Sequence, residues 1–245
     1  MNRVAIVTGG SRGIGAATVL RLAQMGYDVA FTYRVQAEKA RALAEKVGGL
    51  GRRALPIKLD LAKLSRIKEV VDWVAEDFGE PVVLVNNAGY VQRIEPEKLS
   101  LEDWERMIRV SLTAPFLLIQ AVVPHMKKAG FGRIVNVSSL RALTGSPHGV
   151  HYSAAKAGLL GLTKSFALAL APFGITVNAV CPGFVDTDIN KEQLQTKGAE
   201  ILRQIPLGRV ADPAEVAALI GFLCSEEAAY ITGATFSING GLRMD

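Results

Sequence analysis

The 245-residue sequence predicts one α/β domain, a doubly wound parallel sheet of about seven strands with helices on both faces. Three observations carry that expectation. Short runs of Val, Ile, Leu and Ala alternate with helical patterns from end to end. The strand-like runs are continuously apolar rather than alternating, as strands buried on both faces of a parallel sheet must be. No linker, low-complexity segment or repeat of solenoid length interrupts the alternation, so residues 1–245 read as a single domain.

Strands are expected at residues 4–8, 28–33, 54–59, 82–85, 133–138, 175–180 and 234–238. After the second strand, Ala40, Leu43, Ala44 and Val47 form an apolar stripe at helical spacing. After the third, Ile67, Val70, Val71, Val74 and Phe78 form another. Asp212-Pro213-Ala214-Glu215 reads as an N-cap, a proline at the first helical position and a capping glutamate. Segment 157–173 differs from the other helices, because Leu159, Leu160, Leu162, Phe166, Leu168 and Leu170 surround most of its circumference. The sheet is expected to cover one side of it and a partner subunit the other.

Hydrophobic residues make up 49% of the chain and aromatics only 7%, so the core is expected to be aliphatic. With 21% charged residues and a mean hydropathy of +0.24, disorder is excluded. No uninterrupted apolar run approaches the roughly 18 residues needed to span a bilayer. The first strand begins so early that no room for a signal peptide is expected. Cys181 and Cys224 lie far apart without a CxxC, which suits a reducing compartment, and a cytoplasmic protein without a membrane partner is expected. There are 28 basic against 23 acidic residues, a net charge of +5. The basic residues are scattered, the tight pairs being Arg52–Arg53 and Lys127–Lys128, and no aromatics are interleaved to stack bases. That disfavours nucleic acid and suits an anionic cofactor or substrate. The three histidines show no metal-ligand spacing, so no metal site is expected.

Thr8-Gly9-Gly10-Ser11-Arg12-Gly13-Ile14-Gly15 follows the first strand and opens the first helix. Glycines there permit a tight turn and let the backbone approach a pyrophosphate, while the helix N-terminus offers N–H groups and a positive dipole. In a βαβ context this marks a Rossmann-type dinucleotide site. An NAD site wants an acidic residue near the end of the second strand, and this chain has Phe31-Thr32-Tyr33-Arg34 there. Asp28 stands at the wrong end. Arg34 with Arg12 could clamp a 2′-phosphate; otherwise they are two solvated arginines. The missing acid tips the reading to NADP(H).

Tyr152 and Lys156 are four apart and share one helix face. A tyrosine with a pKa near 10 is a poor acid at neutral pH. A lysine ammonium beside it is expected to pull that value down, making it competent to protonate a carbonyl oxygen.

With these motifs in place, the sequence resembles the short-chain dehydrogenase/reductase family over almost its whole length. The likeness rests on the glycine loop, Asp60-Leu61 after the third strand, Asn86-Asn87-Ala88-Gly89 after the fourth and Ser139 thirteen residues before Tyr152. Lys156, Pro182-Gly183 with Thr187, Ile231-Thr232-Gly233 and Asn239-Gly240-Gly241 complete it. Within the family the chain is most similar to the 3-oxoacyl-[acyl-carrier-protein] reductases, especially from Pro206 onward. The resemblance implies an NADPH-dependent ketoreductase delivering hydride to a carbonyl, foremost a small-molecule or carrier-bound 3-oxoacyl thioester of fatty acid biosynthesis. A reductase of another small, anionic carbonyl or hydroxy compound and a non-catalytic NADP-binding protein are the alternatives.

The resemblance also assigns roles. Tyr152 would be the general acid, Ser139 would hydrogen-bond the substrate oxygen, and Lys156 would hold the nicotinamide ribose and tune Tyr152. Gly9, Ser11, Gly13, Ile14 and Gly15 would cradle the pyrophosphate. Asp60 and Leu61 would meet the adenine, and Asn87, Ala88, Gly89 and Val110 would line the cofactor cleft. Pro182, Gly183, Val185 and Thr187 would meet the nicotinamide. Segment 188–205 corresponds to a substrate lid, polar and poorly patterned. Ser111 stands where the family usually has a fourth catalytic residue, an asparagine whose main-chain carbonyl holds a relay water. Arg93, Arg141 and His151 are candidate substrate contacts; alternatively the two arginines pair with carboxylates at an interface or reach solvent. Cys181 is assigned to packing. A homotetramer is implied, pairing segment 157–173 and the helix after Trp104 across a two-fold axis, with 239–245 near a second interface.

Overall fold

The computed structural model describes residues 3–244, so Met1, Asn2 and Asp245 of the expected domain lie outside the described residues. In chain order the elements are β1 (Val4–Val7), α1 (Gly13–Gln24), β2 (Asp28–Tyr33), α2 (Ala37–Gly49), β3 (Ala54–Lys58) and α3 (Arg66–Trp73). There follow β4 (Pro81–Asn86), α4 (Leu101–Ile108), α5 (Ala114–Ala129), β5 (Gly132–Val137), the one-turn α6 (Arg141–Thr144) and α7 (Val150–Leu170). The chain closes with β6 (Ile175–Pro182), α8 (Lys191–Gln204), α9 (Pro213–Leu223) and β7 (Thr235–Ile238). Among the described residues seven strands form one sheet, ordered β3-β2-β1-β4-β5-β6-β7, with every neighbouring pair parallel. All seven expected strands are present; β2 has the expected ends, and the others differ by one or two residues at an end.

Continuous apolar strands serve two cores because successive side chains point to opposite faces. Ala5 and Val7 of β1 join Val19 and Leu22 of α1, Leu43 and Val47 of α2, and Val216 and Ile220 of α9. Val4 and Ile6 join Ile67 and Val71 of α3, Leu118, Ile119 and Val122 of α5, and Ala167 and Leu170 of α7. The capping box is formed as expected. Asp212 Oδ1 accepts from Ala214 N at 2.7 Å, and Glu215 Oε2 accepts from Asp212 N at 2.8 Å. Arg209 grips both Glu215 oxygens at 2.7 Å, and its hydrogen bonds hold that carboxyl down at about 2. Asp28 does sit at the far end of β2, where Arg53 N and Nε reach it at 3.0 and 2.8 Å.

Three features depart from expectation. The stripe ending at Phe78 does not stay α-helical: α3 widens into a π-helical turn over Val74–Phe78. The lid segment is more ordered than its polar composition suggests. It forms α8, kinked at Lys197, and is anchored by buried Ile201 and Ile205. Third, the unbroken helical stretches Leu101–Ala129 and Val150–Phe173 have the length and hydropathy to cross a membrane, which a search for uninterrupted apolar runs misses. Both lay one side on the sheet. The remainder faces outward, with Leu168 at 81% exposure.

Candidate active site

The order of the sheet reverses between β1 and β4, and the loops after those strands diverge into a cleft of 640 Å³. This is the crevice outside the carboxyl ends of the strands where open α/β sheets bind ligands. Its first wall is the glycine loop. Gly9 and Gly13 have φ of +65° and +53°, which side chains on L-residues disfavour. A Cβ at Gly15 would lie 2.2 Å from the Gly9 carbonyl oxygen and 2.6 Å from Asn87 Nδ2. The loop is pinned from beneath. Asn87 Nδ2 donates to Thr8 O at 2.9 Å, and Asn87 N and Ala88 N both donate to Thr8 Oγ1 at 3.0 Å. No side chain caps α1, so its leading N–H groups are left for a ligand. A bare backbone cradle at a helix N-terminus fits a dinucleotide pyrophosphate.

The expected contacts Ser11, Ile14, Asp60, Leu61, Gly89 and Val110 line this cleft, as do Pro182, Gly183, Val185 and Thr187. Arg34 lines it too, and among the described residues it has no ion pair. Arg12 lines it as well, but is paired within the chain. Its Nη1 lies 3.1 Å from Asp188 Oδ2, and Lys39 Nζ reaches the same oxygen at 3.5 Å. The Arg12 hydrogen bond, with the charge of Lys39, holds the Asp188 carboxyl below its ordinary range.

Ser139, Tyr152 and Lys156 converge on the cleft. Ser139 follows β5, and its Oγ accepts from Arg141 N at 3.1 Å. Ser138 Oγ donates to Lys156 O at 2.8 Å, tying α7 to the end of β5. Lys156 Nζ donates to Val137 O at 2.7 Å, and burial pulls its ammonium down to about 8. Burial pushes the Tyr152 phenol up, while a hydrogen bond from Ser139 and the charge of Arg141 pull against it. Here the expectation is corrected: the cation whose charge eases Tyr152 toward phenolate is Arg141, since Lys156 donates to the Val137 carbonyl.

At Ser111 the expected role rests on the main-chain carbonyl, and the side chain does not face the cleft. It lies in a π-helical turn, Arg109–Thr113, and its hydroxyl is directed at Met107 Sδ, 3.4 Å away. Of that turn, Val110 reaches the cleft wall. The expectation for His151 is corrected: it is fully buried and does not line the cleft, because the α7 face that aims Tyr152 inward turns its neighbour toward the body of the protein. Both His151 ring nitrogens lack hydrogen-bond partners, and burial lowers its pKa. Arg93 and Arg141 do line the cleft. Arg93 spans it to Gln193 of α8 at 2.5 Å, and among the described residues neither arginine pairs with a carboxylate.

Tyr90, His148, Phe184 and Gln193 also line the cleft and were not foreseen. Tyr90 and Phe184 directly follow the Asn-Asn-Ala-Gly and Pro-Gly motifs, a signal that could have found them. His148 and Gln193 enter through loop and lid geometry.

The family described as Enoyl-(Acyl carrier protein) reductase matches residues 9–243. The 3-oxoacyl-[acyl-carrier-protein] reductase of Staphylococcus epidermidis is 40% identical over 244 residues, covering all of both chains. The acetoacetyl-CoA reductase of Rhizobium meliloti is 42% identical over 243 residues, covering 98% of each. A blue fluorescent protein from a metagenomic library, solved in complex with NADPH, superposes with a TM-score of 0.92 at 37% identity, covering 99% of this chain and 98% of that one. The cradle, the Ser139–Tyr152–Lys156 group and these full-length likenesses agree: the chain belongs to the short-chain dehydrogenase/reductase family, NAD(P)-dependent oxidoreductases acting on alcohol and ketone groups.

Proposed function

We propose that the chain is an NADPH-dependent ketoreductase of 3-oxoacyl groups, working in the cytoplasm as a homotetramer. The observation that carries this reading is the convergence of Ser139, Tyr152 and Lys156 on a cleft whose other end is a glycine cradle. Arg34, which has no ion pair among the described residues and stands where an NAD site would carry an acid, supports the phosphorylated cofactor. Gly9, Gly13 and Gly15 would hold its pyrophosphate, and Lys156 its nicotinamide ribose.

A nicotinamide held in this cleft by Lys156, Val185 and Thr187 would supply the hydride for the carbonyl carbon. Ser139 donates its hydroxyl hydrogen to the carbonyl oxygen, with Arg141 N fixing the orientation of that hydroxyl. Tyr152 gives its phenolic proton to the same oxygen. Buried in the cleft wall, Lys156 stays charged at neutral pH and would hold the ribose hydroxyls of a bound cofactor. The π-helical turn at Ser111 widens the helix where the relay carbonyl is required, and π turns recur at functional sites. Two relatives named for reducing 3-oxoacyl thioesters, one carrier-bound and one on CoA, support the 3-oxoacyl group and a role in fatty acid biosynthesis.

The test is NADPH oxidation with acetoacetyl-CoA, a 3-oxoacyl carrier-protein thioester, a diketone and a keto sugar. Turnover of the 3-oxoacyl compounds at kcat/KM at least about tenfold above the others is expected. A preference for the diketone or sugar would remove the 3-oxoacyl assignment and leave the reaction type standing.

A further inference from the structure

The substrate end of the cleft carries positive charge that no carboxylate among the described residues pairs with. Arg141 sits two residues beyond Ser139, in the wall next to Tyr152, and its own N–H holds the Ser139 hydroxyl at 3.1 Å. Arg141 as a residue is half-buried, its charge reaches the Tyr152 phenol, and among the described residues no carboxylate lies within 4 Å of it. Most other cations around the cleft are occupied. Arg12 and Lys39 share Asp188, and His148 lies 3.3 Å from Glu95. Lys156 donates to Val137 O, and Arg93 to the neutral Gln193 amide. Arg34 stands at the opposite end, in the cofactor half. The carboxylates lining the cleft, Asp60 and Asp188, are also in that half: Asp60 follows β3, and Asp188 is held by the glycine loop.

A guanidinium lining a cleft presents five donors in a fixed fork. The group it matches best is a planar carboxylate, held through two parallel hydrogen bonds. Among the described residues no such group reaches it, and the place for one is beside the atoms that handle the carbonyl oxygen. We propose that Arg141, backed by Arg93 across the cleft, is an anion subsite that takes a free carboxylate of the substrate, so that the preferred substrates are short 3-oxo acids and their hydroxy acids. This rests on the ketoreductase part of that reading and departs from its thioester part: the 3-oxo group is kept, but the carboxyl next to it is free and ionised rather than esterified. The reaction balances as before: hydride from NADPH to carbon, the Tyr152 proton to oxygen, and the carboxylate unchanged throughout.

The test uses the full chain, NADPH, and three probes sharing one ketone: acetoacetate, its neutral methyl ester and acetoacetyl-CoA. In the parent, kcat/KM for acetoacetate should exceed that for the ester by about tenfold or more, the scale of one charge-assisted pair. In Arg141→Met that ratio should fall at least about tenfold, chiefly through KM for the acid, and Arg141→Lys should restore part of it. A parallel fall for acid and ester would make Arg141 a positioning residue for Tyr152 and overturn the proposal. Dependence on Arg141 for acetoacetyl-CoA alone would overturn it too, placing the carrier's phosphates there instead. Should no probe be reduced, the ketoreductase reading fails by itself. Calorimetric titration of acetoacetate into NADPH-loaded Tyr152→Phe, with and without Arg141→Met, then still decides the subsite: binding lost with Arg141 upholds it, and binding absent or indifferent to Arg141 rejects it.

Discussion

The Lys156 ammonium donates to the carbonyl oxygen of Val137 at 2.7 Å and stands 5.9 Å from the centre of the Tyr152 ring. Its charge is thus spent on a buried backbone group, in surroundings that pull it down to about 8 from 10.5. Between pH 8 and 10.5 the unfolded chain keeps this proton while the folded chain has released it. Stability therefore rises with pH across that window, and the penalty is fully present below pH 8.

Lys156→Met should abolish most turnover and yet leave the protein at least as heat-stable at pH 7. The parent should gain up to about 1.4 kcal/mol per pH unit relative to the variant between pH 8 and 10.5. Thermal unfolding of both proteins across that range measures the difference, which cancels the other groups titrating there. Parallel curves would show that the lysine carries no burial penalty.

Ser111→Ala removes a hydroxyl whose partner is a weak thioether acceptor at 3.4 Å. The main-chain carbonyl and the π turn do not depend on it. Activity should stay within about threefold of the parent, and stability should fall by less than about 1 kcal/mol. Superimposable pH–rate profiles are the expected result. A large loss of kcat with an altered profile would mean that the hydroxyl itself moves protons.

The sheet was readable because burial on both faces leaves a mark on every strand, and the glycine loop because only glycine tolerates the 2.2 Å approach at Gly15. What escaped depends on direction rather than identity. His151 and Tyr152 are neighbours in sequence, but one helical step of about 100° puts one in the core and the other in the cleft. Arg12 looked like a free phosphate ligand because its partner, Asp188, is 176 residues away. Lys156 and Tyr152 share a face as their spacing requires, yet no spacing rule shows that Val137 O is the closer acceptor. The helix in the lid was hidden because few apolar positions hold it down, chiefly Ile201 and Ile205.

Cofactor choice should hinge on Arg34 more than on Arg12, because Asp188 already competes for Arg12. NADP(H) is expected to bind at least about tenfold more tightly than NAD(H), a gap of about 1.4 kcal/mol. Arg34→Asp should shrink or invert the gap by repelling the 2′-phosphate and offering an acceptor to a ribose hydroxyl. Arg12→Ala should have the smaller effect. Calorimetric titration of both cofactors checks this, and equal affinities in the parent would refute the assignment.

Assembly supplies the last test. The stretches Leu101–Ala129 and Val150–Phe173 adjoin and leave apolar side chains outward, Leu168 at 81% and Phe173 at 42% exposure. Burying one such side chain contributes roughly 1.5–3 kcal/mol. In a two-fold contact each residue enters twice, so a single substitution is felt twice. Leu168→Glu would bring two like charges into an apolar contact and should dissociate the expected tetramer at micromolar concentration, while the fold of each subunit holds because the position lies outside both cores. Sedimentation velocity should show the parent as a tetramer and the variant as a smaller species with unchanged far-ultraviolet circular dichroism. A parent that sediments as a stable monomer would refute the two-fold pairing, and a variant that stays tetrameric would place the contact on a different face of the helix.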